Sequence, residues 1–247
     1  MTMPRVVTAE TLDHMAPDDP AARRSRRDLV RVHRAMGTRS IVSRGWQALV
    51  APQRAGAPLR ILELGAGDGR FLLGVARSLA PHWPKVELCL MDRQDIVTPA
   101  TLAGFADLGW PAQVRVANVL AWAARPHDDA PGTATRRWDL ITTTLFLHHF
   151  EGGDLDRLLA AVARRSERFF ACEPSRSWLA LAGSHLVGAI GANGVTREDA
   201  VLSVHAGFRG REIAARWKQT DPSWQLKESD AGLFSHTFRA QRTGPDQ

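Results

Sequence analysis

The run Arg60-Ile61-Leu62-Glu63-Leu64-Gly65-Ala66-Gly67-Asp68-Gly69-Arg70-Phe71 constrains the chain more than any other segment. An apolar strand ends in an acid and a glycine-rich loop follows. A helix then opens, with Phe71, Leu72, Val75 and Leu79 on one face. Glycines at alternate positions suit a sharp turn against which a ligand lies on bare backbone. The helix start beyond supplies free N–H groups and a partial positive charge. The spacing also excludes two nucleotide sites. A dinucleotide fold requires glycine where this chain has Arg70, and a Walker loop requires a Gly-Lys-Ser/Thr that does not follow.

Downstream, short apolar runs alternate with amphipathic ones. Strands are expected at Leu59–Leu64, Val86–Met91, Val114–Val119, Asp139–Leu147 and Arg168–Cys172. Between them lie helices at Arg70–Leu79, from Thr98 (cap) and Pro99 onward, and at Leu155–Arg165. This rhythm predicts an α/β fold with a mostly parallel sheet covered on both faces. Trp224–Lys227 and Leu233–Gln241, joined by a turn holding Asp230 and Gly232, read as a terminal antiparallel hairpin.

Two segments break the rhythm. Ala21–Val50 reads as two helices joined near Gly37. Leu29, Val30, Val32 and Met36 are expected on its buried face, and Arg23, Arg27, Arg31 and Arg34 on a solvated one. Trp178–Val195 runs for eighteen residues without a charge, close to a membrane-spanning length. Its glycines, Ser184, His185 and Asn193 suit a buried or lid helix instead, with an interfacial segment as the alternative, so no stable membrane span is expected. Thr196–Asp199 reads as the capping signal of a helix reaching toward Phe208. The division expected is 1–55 as a helical cap and 56–247 as the main domain, with a helical insertion at about 176–216.

At 247 residues, 44% hydrophobic and 23% charged, the chain can fill a full core, which argues against disorder. The net charge of +6 points toward nucleic acid, yet lysine appears only as Lys85, Lys218 and Lys227. Phosphate binding does not disfavour lysine, so the arginine excess reads as compositional and no nucleic-acid partner is favoured. Cys89 and Cys172 lie in apolar runs as core thiols, which suits a cytoplasmic enzyme, and the first fifteen residues hold no secretory apolar stretch.

The Glu-x-Gly-x-Gly-x-Gly run at the end of a first strand resembles class I S-adenosylmethionine-dependent methyltransferases. Asp92 (CLMD), 23 residues beyond Gly69, Asn118 at the end of the expected third strand, and Trp138-Asp139-Leu140-Ile141 through His148-His149-Phe150 extend the resemblance. It implies a Rossmann-like methyltransferase fold with a seven-stranded sheet and S-adenosyl-L-methionine as cofactor. It places Glu63, Gly65, Ala66, Gly67, Gly69, Asp92, Arg93, Asn118, Val119 and Thr143 at that cofactor. Asp92 would hold the ribose hydroxyls, because a carboxylate accepts from vicinal donors. Asn118 replaces the family's usual Asp near the adenine amine; a local turn cap is its other reading.

Methyl transfer from a sulfonium needs alignment above all, and a weakly acidic acceptor needs a base as well. His149 and Glu173, each expected where a strand ends, are the candidate catalytic residues; a packing histidine is the alternative for the first. No metal is expected, since adjacent His148 and His149 would project oppositely from a strand. The strand-four run lacks the Asn/Asp-Pro-Pro-aromatic signature of DNA-base amino methylation and a cysteine nucleophile, and too few lysines remain for the ribose-methylating set. A small apolar or phenolic acceptor, methylated on oxygen or carbon as in bacterial secondary metabolism, is the expectation. It rests partly on Trp178, Leu179, Leu181, Leu186 and Ile190 of the insertion. A catalytically silent binding module and a nucleic-acid-binding protein are the alternatives.

Overall fold

The computed structural model describes residues 3–50, 57–125, 137–217 and 223–243. Seven strands form one sheet: β1 (Leu59–Leu64), β2 (Val86–Asp92), β3 (Ala112–Val116), β4 (Leu140–Thr144), β5 (Arg168–Pro174), β6 (Trp224–Ala231) and β7 (Ser235–Arg242). Their order is β3-β2-β1-β4-β5-β7-β6. The first five run parallel, and β7 inserts antiparallel between β5 and β6. Chain order therefore reverses between β1 and β4, the switch point where ligands bind in open parallel sheets. The Rossmann-like methyltransferase fold expected from the sequence is the fold observed.

Ten α-helices are described: α1 (Thr11–His14), α2 (Pro20–Met36), α3 (Thr38–Leu49), α4 (Arg70–Leu79), α5 (Pro99–Asp107), α6 (Val119–Ala124), α7 (Gly152–Arg165), α8 (Trp178–His185), α9 (Gly194–Ala206) and α10 (Glu212–Trp217). One core lies between the sheet and α3, α4 and α5, built on Trp46, Leu72, Val75 and Phe105. The other lies under α6, α7 and α10, where Leu155, Leu158, Leu159 and Val162 follow helical spacing and Phe169 stacks on Trp217 at 5.3 Å. Thr98 caps α5 and Pro99 starts it, as expected. Gly37 joins α2 to α3 at φ 66°, a left-handed turn that favours glycine.

Several boundaries move, some through local caps and some for a tertiary reason. β3 ends at Val116, and Asn118 caps α6 by accepting from the N–H groups of Leu120 and Ala121 at 2.8 and 3.2 Å. β4 ends at Thr144 because Leu145 turns to φ 51°, and the expected strand to Leu147 becomes a 3-10 turn, Leu147–His149. The Trp178–Val195 stretch is not one buried helix. It breaks into α8 and a 3-10 turn, Val187–Ile190, and exposes Trp178, Leu179 and Leu186. Asn193, rather than Thr196, caps α9.

The buried side of α2 is Ala22, Ser25, Asp28 and Val32, while Val30 is exposed. Two buried polar groups are tolerated there because they fasten α2 to α9. Ser25 Oγ donates to Asn193 Oδ1 at 2.9 Å, and Asp28 Oδ2 accepts from the Asn193 N–H at 2.8 Å. No helix among the described residues is long and apolar enough to cross a membrane.

Candidate active site

The loop after β1 makes one wall of a cleft of about 520 Å³. Gly65, Gly67 and Gly69 hold φ of 74°, 56° and 72°, the left-handed region in which a side chain is strained. At Gly65 a Cβ would also sit 2.2 Å from the Phe146 ring, whereas at Gly67 it would meet nothing within 4 Å and would enter the cleft. Gly65 and Ala66 donate to Met91 O at 2.9 and 3.0 Å, which ties the loop to the end of β2. Gly69 shapes the start of α4 and does not line the cleft.

Asp92, the last residue of β2, takes the Gly67 N–H on Oδ2 at 2.8 Å and the Gln94 N–H on Oδ1 at 2.9 Å. Each oxygen keeps a second lone pair, and the residue lines the cleft. Ala66, Asn118 and Val119 line it too. Asn118 spends Oδ1 on its helix cap, so only its amide nitrogen is left to face a ligand. Arg93 lines the cleft but is occupied otherwise: it donates to Asp13 O and pairs with the Asp13 carboxylate at 3.4 Å.

Glu63, also on the cleft wall, is 3% exposed, and its Oε2 is buried without a partner. Burial drives its pKa up to about 8, the negative charge of Glu173 adds to the rise, and the Thr144 hydroxyl opposes it. The Thr144 hydroxyl, buried beside Glu63, belongs to the cleft wall as well. Thr143 does not. Strand alternation turns its side chain into the protein, where Oγ1 donates to Glu173 at 3.4 Å. A buried carboxylate oxygen lacking a donor, a bare Gly67 and an acid with spare lone pairs are the groups a zwitterionic amino-acid nucleoside would meet, so these residues fit the expected cofactor.

Glu173 is not a base at the cleft. Fully buried and off the cleft wall, it accepts from the N–H groups of Phe146, Leu147 and His148 at 3.0 to 3.3 Å and sits 2.9 Å from His148 Nδ1. It is the anchor of the turn after β4, and this one carboxylate converts the expected strand into that turn. The turn in turn places His148 and His149 side by side, ring centroids 4.3 Å apart, where a strand would have separated them.

His149 lies on the cleft surface with Nδ1 3.3 Å from Asp13 Oδ2. Burial and the neighbouring His148 hold it below its ordinary pKa, hence neutral at pH 7. His148 is buried between Glu173 and Glu10, its Nε2 3.2 Å from Glu10 Oε1. Burial alone would lower its pKa, but the two carboxylates raise it to about 9. Glu10 also accepts from Ser203 and, despite burial, stays below the ordinary carboxylate range through its contact with His148.

Glu10, Asp13 and His33 are site residues that the sequence reading did not reach. The segment Val7–His14 runs across the cleft as a roof, although Glu10 is 138 positions from His148. A four-residue helix has too little periodicity to announce itself, so only the folded chain reveals this roof. His33 extends from α2 onto Phe71, ring centroids 4.4 Å apart. Burial lowers its pKa to about 4, and its Nδ1 has no partner. Leu12, Leu29, Phe71, Phe146 and Phe150 give the wall an apolar part, beside polar Arg26, Asp68 and Gln94. The insertion residues Trp178 to Ile190, expected to shape the acceptor site, do not line it.

The profile of the family described as "Methyltransferase domain" matches residues 38–221, more than half of the chain. Among solved structures, the plantazolicin methyltransferase BamL, in complex with a triazolic desmethylPZN analog and SAH, is similar at 10% identity. Its TM-score is 0.62 and 94% of each chain is covered. An O-methyltransferase family protein from Burkholderia thailandensis is similar at 15% identity with a TM-score of 0.58, covering 95% of this chain and 62% of the other. The N,N-8-amino-8-demethyl-D-riboflavin dimethyltransferase RosA from Streptomyces davawensis is similar at 16% identity, TM-score 0.55, covering 91% and 60%. The chain thus spans less than two thirds of the last two, and at these identities the likeness is one of fold. Comparison with curated protein sequences returns no match. The profile match and the fold together place this chain in the methyltransferase-domain family, the class I S-adenosylmethionine-dependent methyltransferases.

Proposed function

We propose that the cleft carries a methyl group from S-adenosylmethionine to a small apolar or phenolic acceptor, methylated on oxygen or carbon. The observation that carries this reading is the continuity of one cleft. Glu63, Gly67 and Asp92 stand along the ends of β1 and β2, and His149 with Glu10 stands beyond the end of β4. The bound cofactor would supply an electrophilic methyl on a sulfonium. Glu63 receives its ammonium, Asp92 its ribose hydroxyls, and Gly67 admits it by lacking a side chain.

The apolar wall of Leu12, Leu29, Phe71, Phe146 and Phe150 excludes water and orients the acceptor. Neutral His149, held by Asp13, presents a lone pair at the cleft surface for the proton of a weakly acidic nucleophile. An acceptor already acidic, such as a phenol, needs little beyond alignment. His33, neutral and without a partner on Nδ1, is placed to accept from an acceptor hydroxyl.

Calorimetric titration tests the reading. S-adenosylhomocysteine binds in the micromolar range, about −8 kcal/mol, and NADH does not bind. Gly67→Arg, which fills the open space beside the loop, abolishes binding while leaving the fold intact by circular dichroism. Equal affinity in wild type and variant would remove the loop from the site. Turnover with a panel of phenols and quinols then identifies the acceptor class.

A further inference from the structure

One carboxylate oxygen of Glu10 and one ring nitrogen each of His148 and His149 lie within 4.8 Å of one another, and all three residues line the cleft. We propose that these three residues form a site for one borderline divalent first-row cation, with Zn²⁺ as the representative. The inference rests on the proposed acceptor end of the cleft and deepens it: the cation would take the lone pairs otherwise offered to the acceptor's proton.

Three observations argue for a built site. The ligand set, two imidazoles and one carboxylate, is the one borderline divalent ions choose, and the cleft leaves coordination positions open, as in catalytic rather than structural sites. His148 Nε2 and Glu10 Oε1 are 3.2 Å apart, near the roughly 3.4 Å that bonds of about 2.1 Å impose in tetrahedral geometry. Outer partners orient the ligands as well. Glu173 sits 2.9 Å from His148 Nδ1, and by accepting the proton there it turns the Nε2 lone pair toward Glu10. Asp13, pinned by Arg93, stands 3.3 Å from His149 Nδ1. Arg5 is spent on the carbonyls of His148, Phe150 and Ala206.

The chemistry follows. An acceptor hydroxyl bound to the cation would lose its proton near neutral pH, as metal-bound water does, and become the nucleophile for in-line attack on the methyl carbon. The proton passes to solvent, the carbon–sulfur bond breaks, and the electron pair leaves on the thioether.

The competing occupant is a proton on His148 bridging Glu10 and Glu173, and metal titration separates the two. Tag-free full-length protein is stripped with a chelator, titrated with Co²⁺ and followed by visible d–d absorption, then challenged with Zn²⁺. One equivalent should bind at micromolar Kd or tighter and be displaced by Zn²⁺. Glu10→Gln and His149→Gln, both at the cleft surface, should each weaken binding at least about tenfold. Far-UV circular dichroism of each variant, measured in parallel, should match wild type and shows that the variants fold. Co²⁺ affinity weaker than about 1 mM, or unchanged in both variants, overturns the proposal and leaves His149 as the proton acceptor. Wild type that binds no S-adenosylhomocysteine overturns instead the reading on which the proposal rests.

Discussion

Glu63 should make cofactor binding depend on pH in a way that no surface carboxylate could. Its carboxyl is buried with one oxygen lacking a partner, and its pKa stands at about 8. Only about one molecule in a hundred is therefore ionised at pH 6, and about one in eleven at pH 7. If the ionised form is what meets the cofactor's ammonium, binding at pH 6 carries a penalty of about 2.7 kcal/mol for removing the proton. The Kd for S-adenosylhomocysteine should fall about tenfold from pH 6 to pH 7, and close to one proton should leave on binding. Calorimetry in buffers of different ionisation enthalpy reads both quantities. Glu63→Gln should flatten the pH profile, binding much more weakly than wild type at pH 7.5 and comparably at pH 6. The free protein shows the reverse linkage: a carboxyl raised in the fold costs stability as pH rises from the ordinary carboxylate range to about 8. A wild-type Kd unchanged between pH 6 and 7.5, with no proton released, would refute the pairing of Glu63 with an ammonium.

Gly65→Ala should destabilise by about 2–4 kcal/mol, since its Cβ meets the Phe146 ring at 2.2 Å on a left-handed backbone. Adding Phe146→Ala should recover part of that loss in a double-mutant cycle read by urea unfolding, and strict additivity would show that the ring is not the obstacle. Glu173→Ala should cost about 3 kcal/mol or more, because it strands three buried N–H groups and the His148 ring; a midpoint within error of wild type would refute its anchoring role. His236 is buried between Glu228 at 2.9 Å and Asp230 at 2.8 Å. Burial alone would lower its pKa, but the two acids raise it. A histidine raised in the fold stabilises fully below its unfolded pKa and loses that contribution as pH climbs through the folded one. The stability gap between wild type and His236→Gln should therefore be widest near pH 5.5 and narrow toward pH 9, and a gap independent of pH would show that no charged imidazole is involved.

Much of the architecture was legible because it rests on local periodicity. β1, β2, the start of α5 and the Gly37 junction follow from burial patterns and caps within a few residues. The errors fell where a side chain, near in sequence or far, competes for backbone donors. Val114 to Val119 reads as a strand until Asn118 caps a helix, and Thr144 to Leu147 reads as one until Glu173 gathers the N–H groups of the turn. The exposed apolar residues of α8 read as part of a buried or lid helix because hydropathy does not say how an insertion packs.

The glycine loop, its acid Glu63 and the carboxylate of Asp92 stood out in the sequence through the loop's spacing and the family resemblance, since backbone conformation and strand ends are local properties. What lies at the other end of the cleft could not. Glu10 and Asp13 reach the paired histidines only by closing a loop of more than a hundred residues, and the histidines pair only because a buried carboxylate bends the backbone beneath them. Contacts that are distant along the chain leave no periodic trace in it. Here the part of the cleft built on a glycine loop and strand ends was thus readable from sequence, and the part built by Glu10, Asp13 and the paired histidines was decided by tertiary folding.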